Sequence, residues 1–275
     1  MSTTFYESLK ARWHKHNTLI CVGLDPLPER FPGSIAQRPD AVFAFNRAII
    51  DATHDLVCAY KPQIAHYAAL AAEDQLQQTM DYLRSQYPDI PVILDSKRGD
   101  IGSTAEQYAR EAFDRYGADA VTVNPYMGAD TIEPFARYSS KGVVVLCRTS
   151  NPSAAELQNL ELASGETLFA QVARLAARQW NGRQNLALVV GATAPAELAR
   201  VRDLIGDMPI LVPGLGAQGG DAEAVLKAGL TEHGDGLIIN SSRGILYASQ
   251  ADDFALAARS EAQALRDLAN RFRQQ

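Results

Sequence analysis

The chain has 275 residues, 47% of them hydrophobic, with 26 Lys and Arg against 32 Asp and Glu for a formal net charge of −6. That length suits one closed α/β barrel and that apolar share supplies a large core, while the acidic balance argues against non-specific nucleic-acid binding, which calls for a basic patch. No apolar stretch nears the ~20 residues needed to cross a bilayer, and the N-terminus MSTTFYESLKARWHKH has no signal-like apolar segment, so the chain reads as soluble and cytoplasmic with no membrane partner.

The amphipathic N-terminus reads as a helix whose His14 and His16 are solvated rather than ligands. TLICVGL (18–24) is the first apolar, β-branched run and ends at Asp25. VFAFNRAIIDATH (42–54) then carries apolar residues at spacings of three and four, a helical pattern. LVCAYKP (56–62) brings Lys61 to a strand end, and YAALAAEDQLQQTMDYLRSQ (67–86) reads as one long helix. PVILD (91–95) runs into the charged stretch DSKRGD, before the helical TAEQYAREAFDRYG (104–117). DAVTVNP (119–125) leads to the weakest helical segment, after NPYMGAD (124–130). GVVVLCR (142–148) precedes a long piece of weak periodicity (150–166), which reads as an active-site loop, and then TLFAQVARLAARQW (167–180). LALVVGA (186–192), PAELARVRDLIG (195–206), PILVPG (209–214), DAEAVLKAGL (221–230), DGLIINS (235–241) and DFALAARSEAQALRDLANRF (253–272) complete the series.

Near-continuous apolar runs suit strands buried on both faces of a parallel sheet. Eight of them, each followed by a helix, predict a (β/α)8 TIM barrel, one domain over 1–275 with an N-terminal helix. A doubly wound open sheet is the competitor, and eight evenly spaced units disfavour it. Cys21, Cys58 and Cys147 lie in apolar runs without CxxC spacing and read as buried free thiols in a reducing compartment.

Chemistry in such barrels sits at the C-terminal strand ends. Those ends carry Asp25, Lys61, Asp95 with Lys97, Asn124, Arg148 to Ser150, Pro213 to Gln218, and Ser241 to Arg243. So many polar groups on one rim would be costly without partners or a ligand. The glycine-rich VPGLGAQGGD (212–221) opening a helix, paired with Arg243 in INSSRG (239–244), points to a phosphate site after strands seven and eight. Asp95 and Lys97 share strand parity and are expected to face one side, with Asp100 and Thr104 following in the loop and first helical turn. A Lys among carboxylates stays protonated, which suits a proton donor and disfavours a Schiff base. The sequence offers no HExxH, no histidine cluster at strand ends and no GxGxxG behind the first strand.

These residues resemble a known family. DSKRGDIGSTA (95–105), VGLDP (22–26), YKPQ (60–63), VPGLGAQGG (212–220) and NSSRG (240–244) look like the orotidine 5′-phosphate decarboxylases, specifically the longer bacterial, type 2 branch that carries KRGDIG. The resemblance implies conversion of orotidine 5′-phosphate to UMP and CO2, the last step of UMP synthesis, with no metal and no organic cofactor. It implies Lys97 as proton donor to the ring carbon that loses its carboxylate, Asp95 against the departing carboxylate, and Lys61 and Asp100 in the same charge network. It further implies Asp25, with Lys61, on the ribose hydroxyls, and Pro213, Gln218 and Arg243 at the pyrimidine and phosphate end. Asp100, Ile101 and Thr104 would cross the interface of a homodimer with shared active sites. The family's pyrimidine-recognising serine after strand five has three counterparts here, Thr149, Ser150 and Ser153, and the choice stays open. Two rivals remain: a Mg²⁺-dependent keto-sugar-phosphate decarboxylase sharing DxKxxD, which the IGSTA continuation disfavours, and a non-catalytic nucleotide-binding barrel, which needs no Lys between two carboxylates.

Overall fold

The computed structural model describes residues 3–215 and 222–273. Its strands are β1 (Ile20–Leu24), β2 (Ala59–Pro62), β3 (Ile93–Arg98), β4 (Ala120–Val123), β5 (Gly142–Arg148), β6 (Leu186–Val190), β7 (Ile210–Pro213) and β8 (Leu237–Ser241). They form one sheet in the order β2-β1-β8-β7-β6-β5-β4-β3, and the ladders are parallel. The two end strands meet through parallel bridges at Tyr60–Val92 and Gln63–Asp95. The sheet therefore curls round on itself, as the expected (β/α)8 barrel. Every residue of β1, β2, β4, β6 and β8 is buried, since helices cover the outer face and side chains fill the interior.

The helices depart from the expected ones in three places. Residues 67–86 are not one helix but parts of two, Ile64–Ala68 and Glu73–Gln86, separated by Ala71 at φ +50°. Glu73 and Asp74 sit in the first turn of the second, where carboxylates favour a helix start over a helix interior. The helices Gly102–Arg110 and Leu168–Leu175 each run on into a π-helical turn. Between β5 and the latter helix, the loop holds a short helix, Ala154–Gln158, and an antiparallel bridge from Glu161 to Thr167. The weak segment after Asn124 does form a helix, Ala129–Ala136.

The N-terminal helix Phe5–Lys15, closed by a Thr4–Glu7 capping box, lies across the N-terminal ends of the strands and buries Phe5, Leu9 and Trp13. Phe5 packs where a side chain on Gly142 would stand, 2.3 Å from its ring. Buried Arg12 donates to the carbonyls of Val57 and His54 at 2.8 and 2.7 Å. His14 is not simply solvated, because its Nε2 lies 3.0 Å from Asp235 Oδ2. Cys21, Cys58 and Cys147 are free and buried, and burial pushes the Cys58 and Cys147 thiols up to about 12. With this end plugged, the polar strand ends converge on the opposite rim.

Candidate active site

The centre of that rim is built by an irregularity. β3 pairs with β4 at Leu94–Val121 and next at Arg98–Val123, so four residues of one strand span two of the other. The extra length bulges, and Lys97 adopts φ +47°, the left-handed region disfavoured for a residue with a side chain. One hydroxyl holds the bulge. Thr122 Oγ1 accepts the N–H of both Ser96 and Lys97 at 2.9 Å and donates to Asp95 Oδ1 at 2.8 Å. Asp95 and Lys97 do meet, as strand parity suggests, but the bulge brings them together rather than regular alternation.

Asp95 takes charge from two sides. Lys97 Nζ donates to its Oδ1 at 2.7 Å, and Lys61 Nζ, from β2, to its Oδ2 at 2.8 Å. Asp95 and Lys61 are 6% and 4% exposed, whereas the Lys97 side chain is 45% exposed. Burial alone would raise the Asp95 pKa, but Lys61 and Lys97 outweigh it and hold the carboxyl well below its usual range. Burial would likewise lower Lys61, but Asp95 and then Asp25 outweigh it and hold the ammonium above its usual value. The three groups form a fixed cation–anion–cation array.

Two cavities flank the array and share Lys61, Asp95 and Pro213. The first, about 210 Å³, is lined also by Asp25, Gly214, Leu215, Asn240, Ser241, Ser242 and Arg243. Asp25 Oδ1 and Asn240 Oδ1 are buried there without hydrogen-bond partners. Both residues line this cavity, but these two oxygens have almost no accessible surface, and Asn240 Oδ1 lies against β1, 3.3 Å from the Cβ position of Gly23. Gly23 on β1 is a requirement of this wall, since a Cβ would stand 1.9 Å from Ser242 Oγ. The Tyr247 hydroxyl accepts the Leu27 N–H at 2.7 Å and donates to the Asp25 carbonyl at 3.0 Å, fixing the chain as it leaves β1. Arg243 lines the cavity and forms no ion pair among the described residues. Gln218 lies outside the described residues, with most of its glycine-rich turn.

The second cavity, about 350 Å³, adds Lys97, Thr122, Thr149, Ser150, Asn151 and the apolar Leu146, Val189 and Leu211. Of the three hydroxyl residues after β5, Thr149 and Ser150 therefore reach the site, while exposed Ser153 starts the short helix outside it. The Thr149 hydroxyl is already engaged, donating to Asn151 Oδ1 at 2.7 Å and accepting from Gln158 Nε2 at 2.8 Å. Ser150 packs against β6's exit, where a Cβ on Gly191 would stand 2.8 Å from its own. Arg148 turns away and forms an ion pair with Glu197 at 2.5 Å.

Asp100, Ile101 and Thr104 do not join their own chain's array. Asp100 Oδ1 accepts the Ile101 N–H at 2.8 Å, and among the described residues only Asp95 forms an ion pair with Lys97. Thr104 is exposed, Ile101 is 60% exposed, and Tyr126 and Met127 after β4 are 80% and 44% exposed. Met127 Cε comes within 3.7 Å of the Cβ position of Gly99, two residues after Lys97. Arg98 is structural: it pairs with Glu111 at 3.0 Å and stacks over Tyr108. The sequence reading missed Asn240 and Thr122. Both sit inside apolar strand runs, and only Asn240, one residue before the polar strand end, left a signal. Among the described residues no group of three or more His, Cys, Asp or Glu side chains is arranged to hold a metal ion.

Residues 18–258 match the family model described as "Orotidine 5′-phosphate decarboxylase / HUMPS family". The chain is 59% identical over 269 residues to an orotidine 5′-phosphate decarboxylase of Azoarcus sp. (strain BH72), covering 98% of this chain and 99% of that protein. It is 60% identical to the protein of that name from Cellvibrio japonicus, covering 97% and 98%. Among solved structures it is similar to the OMP decarboxylase of Leishmania donovani, with TM-score 0.86 and 39% identity over 99% of this chain and 100% of that one.

Proposed function

The chain belongs to the orotidine 5′-phosphate decarboxylase / HUMPS family, and from that premise we propose how its site works. It decarboxylates orotidine 5′-phosphate to UMP, a step of pyrimidine biosynthesis. The observation that carries the mechanism is the Lys61–Asp95–Lys97 array between two cavities.

In this reading the nucleotide spans both cavities. Arg243 and Gln218 take the phosphate, and ribose hydroxyls donate to the Asp25 carboxylate, which lines the first cavity with Arg243. Lys61 lies between ribose and array. The pyrimidine enters the second cavity against Ser150, the one of the three hydroxyl candidates that lines it with its hydroxyl unengaged among the described residues, with Pro213 beside it. Asp95 lies against the substrate carboxylate and raises the energy of the bound ground state. The bond between ring carbon and carboxylate breaks, its electron pair stays on the ring carbon, and CO2 departs. The Lys97 ammonium stabilises that developing charge and then gives the carbon a proton. Half-exposed Lys97 regains a proton from solvent. Phosphate binding far from the reacting carbon supplies energy expressed in the transition state. None of these steps uses a metal or an organic cofactor.

The exposed apolar side chains of Ile101, Tyr126 and Met127, in the loops after β3 and β4, support a homodimer in which Asp100, Ile101 and Thr104 complete the neighbouring site. We take residues 1–275 as one barrel domain acting in the cytoplasm, without nucleic-acid or membrane partners. No helix among the described residues is long and apolar enough to cross a membrane, and three unpaired thiols fit a reducing compartment.

The test is loss of orotidine 5′-phosphate absorbance with excess EDTA present. Turnover unaffected by EDTA is expected. No loss of orotidine 5′-phosphate together with EDTA-sensitive turnover of a keto-sugar phosphate would favour the Mg²⁺-dependent rival, and UMP binding without turnover would favour the binding-only barrel.

A further inference from the structure

We propose that Thr122 is a positioning residue for this decarboxylation: its hydroxyl sets the β3 bulge that aims Lys97 and Asp95 at the reacting carbon. The inference rests on the reading of Lys97 as proton donor. Thr122 is 1% exposed and comes from β4; it lies on the wall of the second cavity, but its hydroxyl is turned onto Asp95 and the β3 backbone. Its oxygen accepts two successive backbone N–H groups, from Ser96 and Lys97, both at 2.9 Å. A hydroxyl has two acceptor positions and one proton. With both positions filled, the proton is committed to Asp95 Oδ1, 2.8 Å away. The hydroxyl is thus saturated, and each of its three bonds ends on the array or the backbone carrying it.

The bulge needs such a clamp. Lys97 holds a left-handed φ of +47° without being glycine, and such conformations persist only where the surroundings over-determine them. In a regular strand through Ser96, the Lys97 backbone would lose that turn, and its ammonium would leave the 2.7 Å contact with Asp95 Oδ1. A Thr kept only for its fit to a β-strand would be equally served by Val, since the two are nearly the same shape. Nothing in that bland role requires the oxygen.

Thr122→Val keeps the shape and removes the hydroxyl. We expect kcat to fall about a hundredfold, the order of loss from misplacing a reacting group by an ångström, with UMP affinity within threefold of wild type. Thr122→Ser, which keeps the hydroxyl, should return kcat to within fivefold. If Thr122→Val does not fold, Thr122→Ala serves with the same expectation against Thr122→Ser. Lys97→Ala run alongside separates the two readings. If Lys97→Ala still turns over, the proton-donor reading fails whatever Thr122 does. If Lys97→Ala is inactive while Thr122→Val stays within threefold of wild type, or Thr122→Ser is as slow as Thr122→Val, the positioning role is overturned.

Discussion

Replacing Asp95 with alanine leaves buried Lys61 without its hydrogen-bond acceptor among the described residues and with only Asp25 as a nearby anion, and the cost can be bounded. Lys61 is 4% exposed, and Asp95 Oδ2 is the acceptor its ammonium uses. Stranded, it escapes the desolvation penalty by giving up its proton. For a free lysine near 10.4, neutralisation at pH 7 costs about 4.6 kcal/mol, and at pH 9 about 1.9 kcal/mol. In the wild type the folded-state pKa of Lys61 is raised, so its contribution is complete throughout pH 7–9 and lost only as pH climbs past the free value towards the folded one. In Asp95→Ala the folded-state pKa drops below the free value, the unfolded chain binds more protons, and stability rises with pH. The Asp95→Ala penalty should therefore shrink between pH 7 and pH 9, by at most about 2.7 kcal/mol, the limit reached when Lys61 is neutral throughout that range. Lys61→Met is the control, because Asp95 keeps Lys97 at 2.7 Å and Thr122 at 2.8 Å. Its penalty should be about 1.5–3 kcal/mol, that of one hydrogen bond to a charged group, and flat across the same range. Urea unfolding at both pH values and one protein concentration measures this. An Asp95→Ala penalty that does not change with pH would refute the reasoning.

Lys97→Ala should abolish decarboxylation while leaving the fold and UMP binding largely intact, and turnover within tenfold of wild type would reject Lys97 as proton donor. Arg243→Ala should cut turnover of the nucleotide strongly yet scarcely change any slow reaction of the phosphate-free nucleoside, and equal losses on both would mean that Arg243 does not hold phosphate. Lys97→Ala and Asp100→Ala chains, each nearly inactive, should recover about a quarter of wild-type activity when refolded together in equal amounts, because random pairing makes about half the dimers mixed, each with one sound site. No recovery, with mixed dimers confirmed by mass spectrometry, would reject the shared site.

The barrel was legible because its strands are buried on both faces, so each appears as an apolar run with nothing to confuse it with an exposed strand. The helices were less so, since periodicity reports a face and not continuity. Apolar spacing runs through 67–86 unbroken, yet Ala71 turns left-handed and Glu73 starts a new helix. The bulge in β3 left no mark at all. Its left-handed position holds a lysine rather than the glycine that usually flags such a turn, and the hydroxyl that stabilises it lies on the next strand.

The charged stretch after PVIL shows where sequence reasoning stops. Lys97 and Arg98 are adjacent cations; parity with Asp95 picks out Lys97 for the site, but nothing in the sequence says what holds Arg98. The structure divides them by partner: Arg98 finds Glu111 and the face of Tyr108, and Lys97 finds Asp95. Their carboxylate neighbours divide in the same way. Asp95 collects three donors and is buried, while Asp100 accepts only the next residue's N–H and stays partly open to solvent. A carboxylate that close in sequence to a charged array, yet absent from it, is either incidental or made for a different chain. Ile101 beside it is 60% exposed, which suits the proposed homodimer, where this segment reaches the neighbouring site.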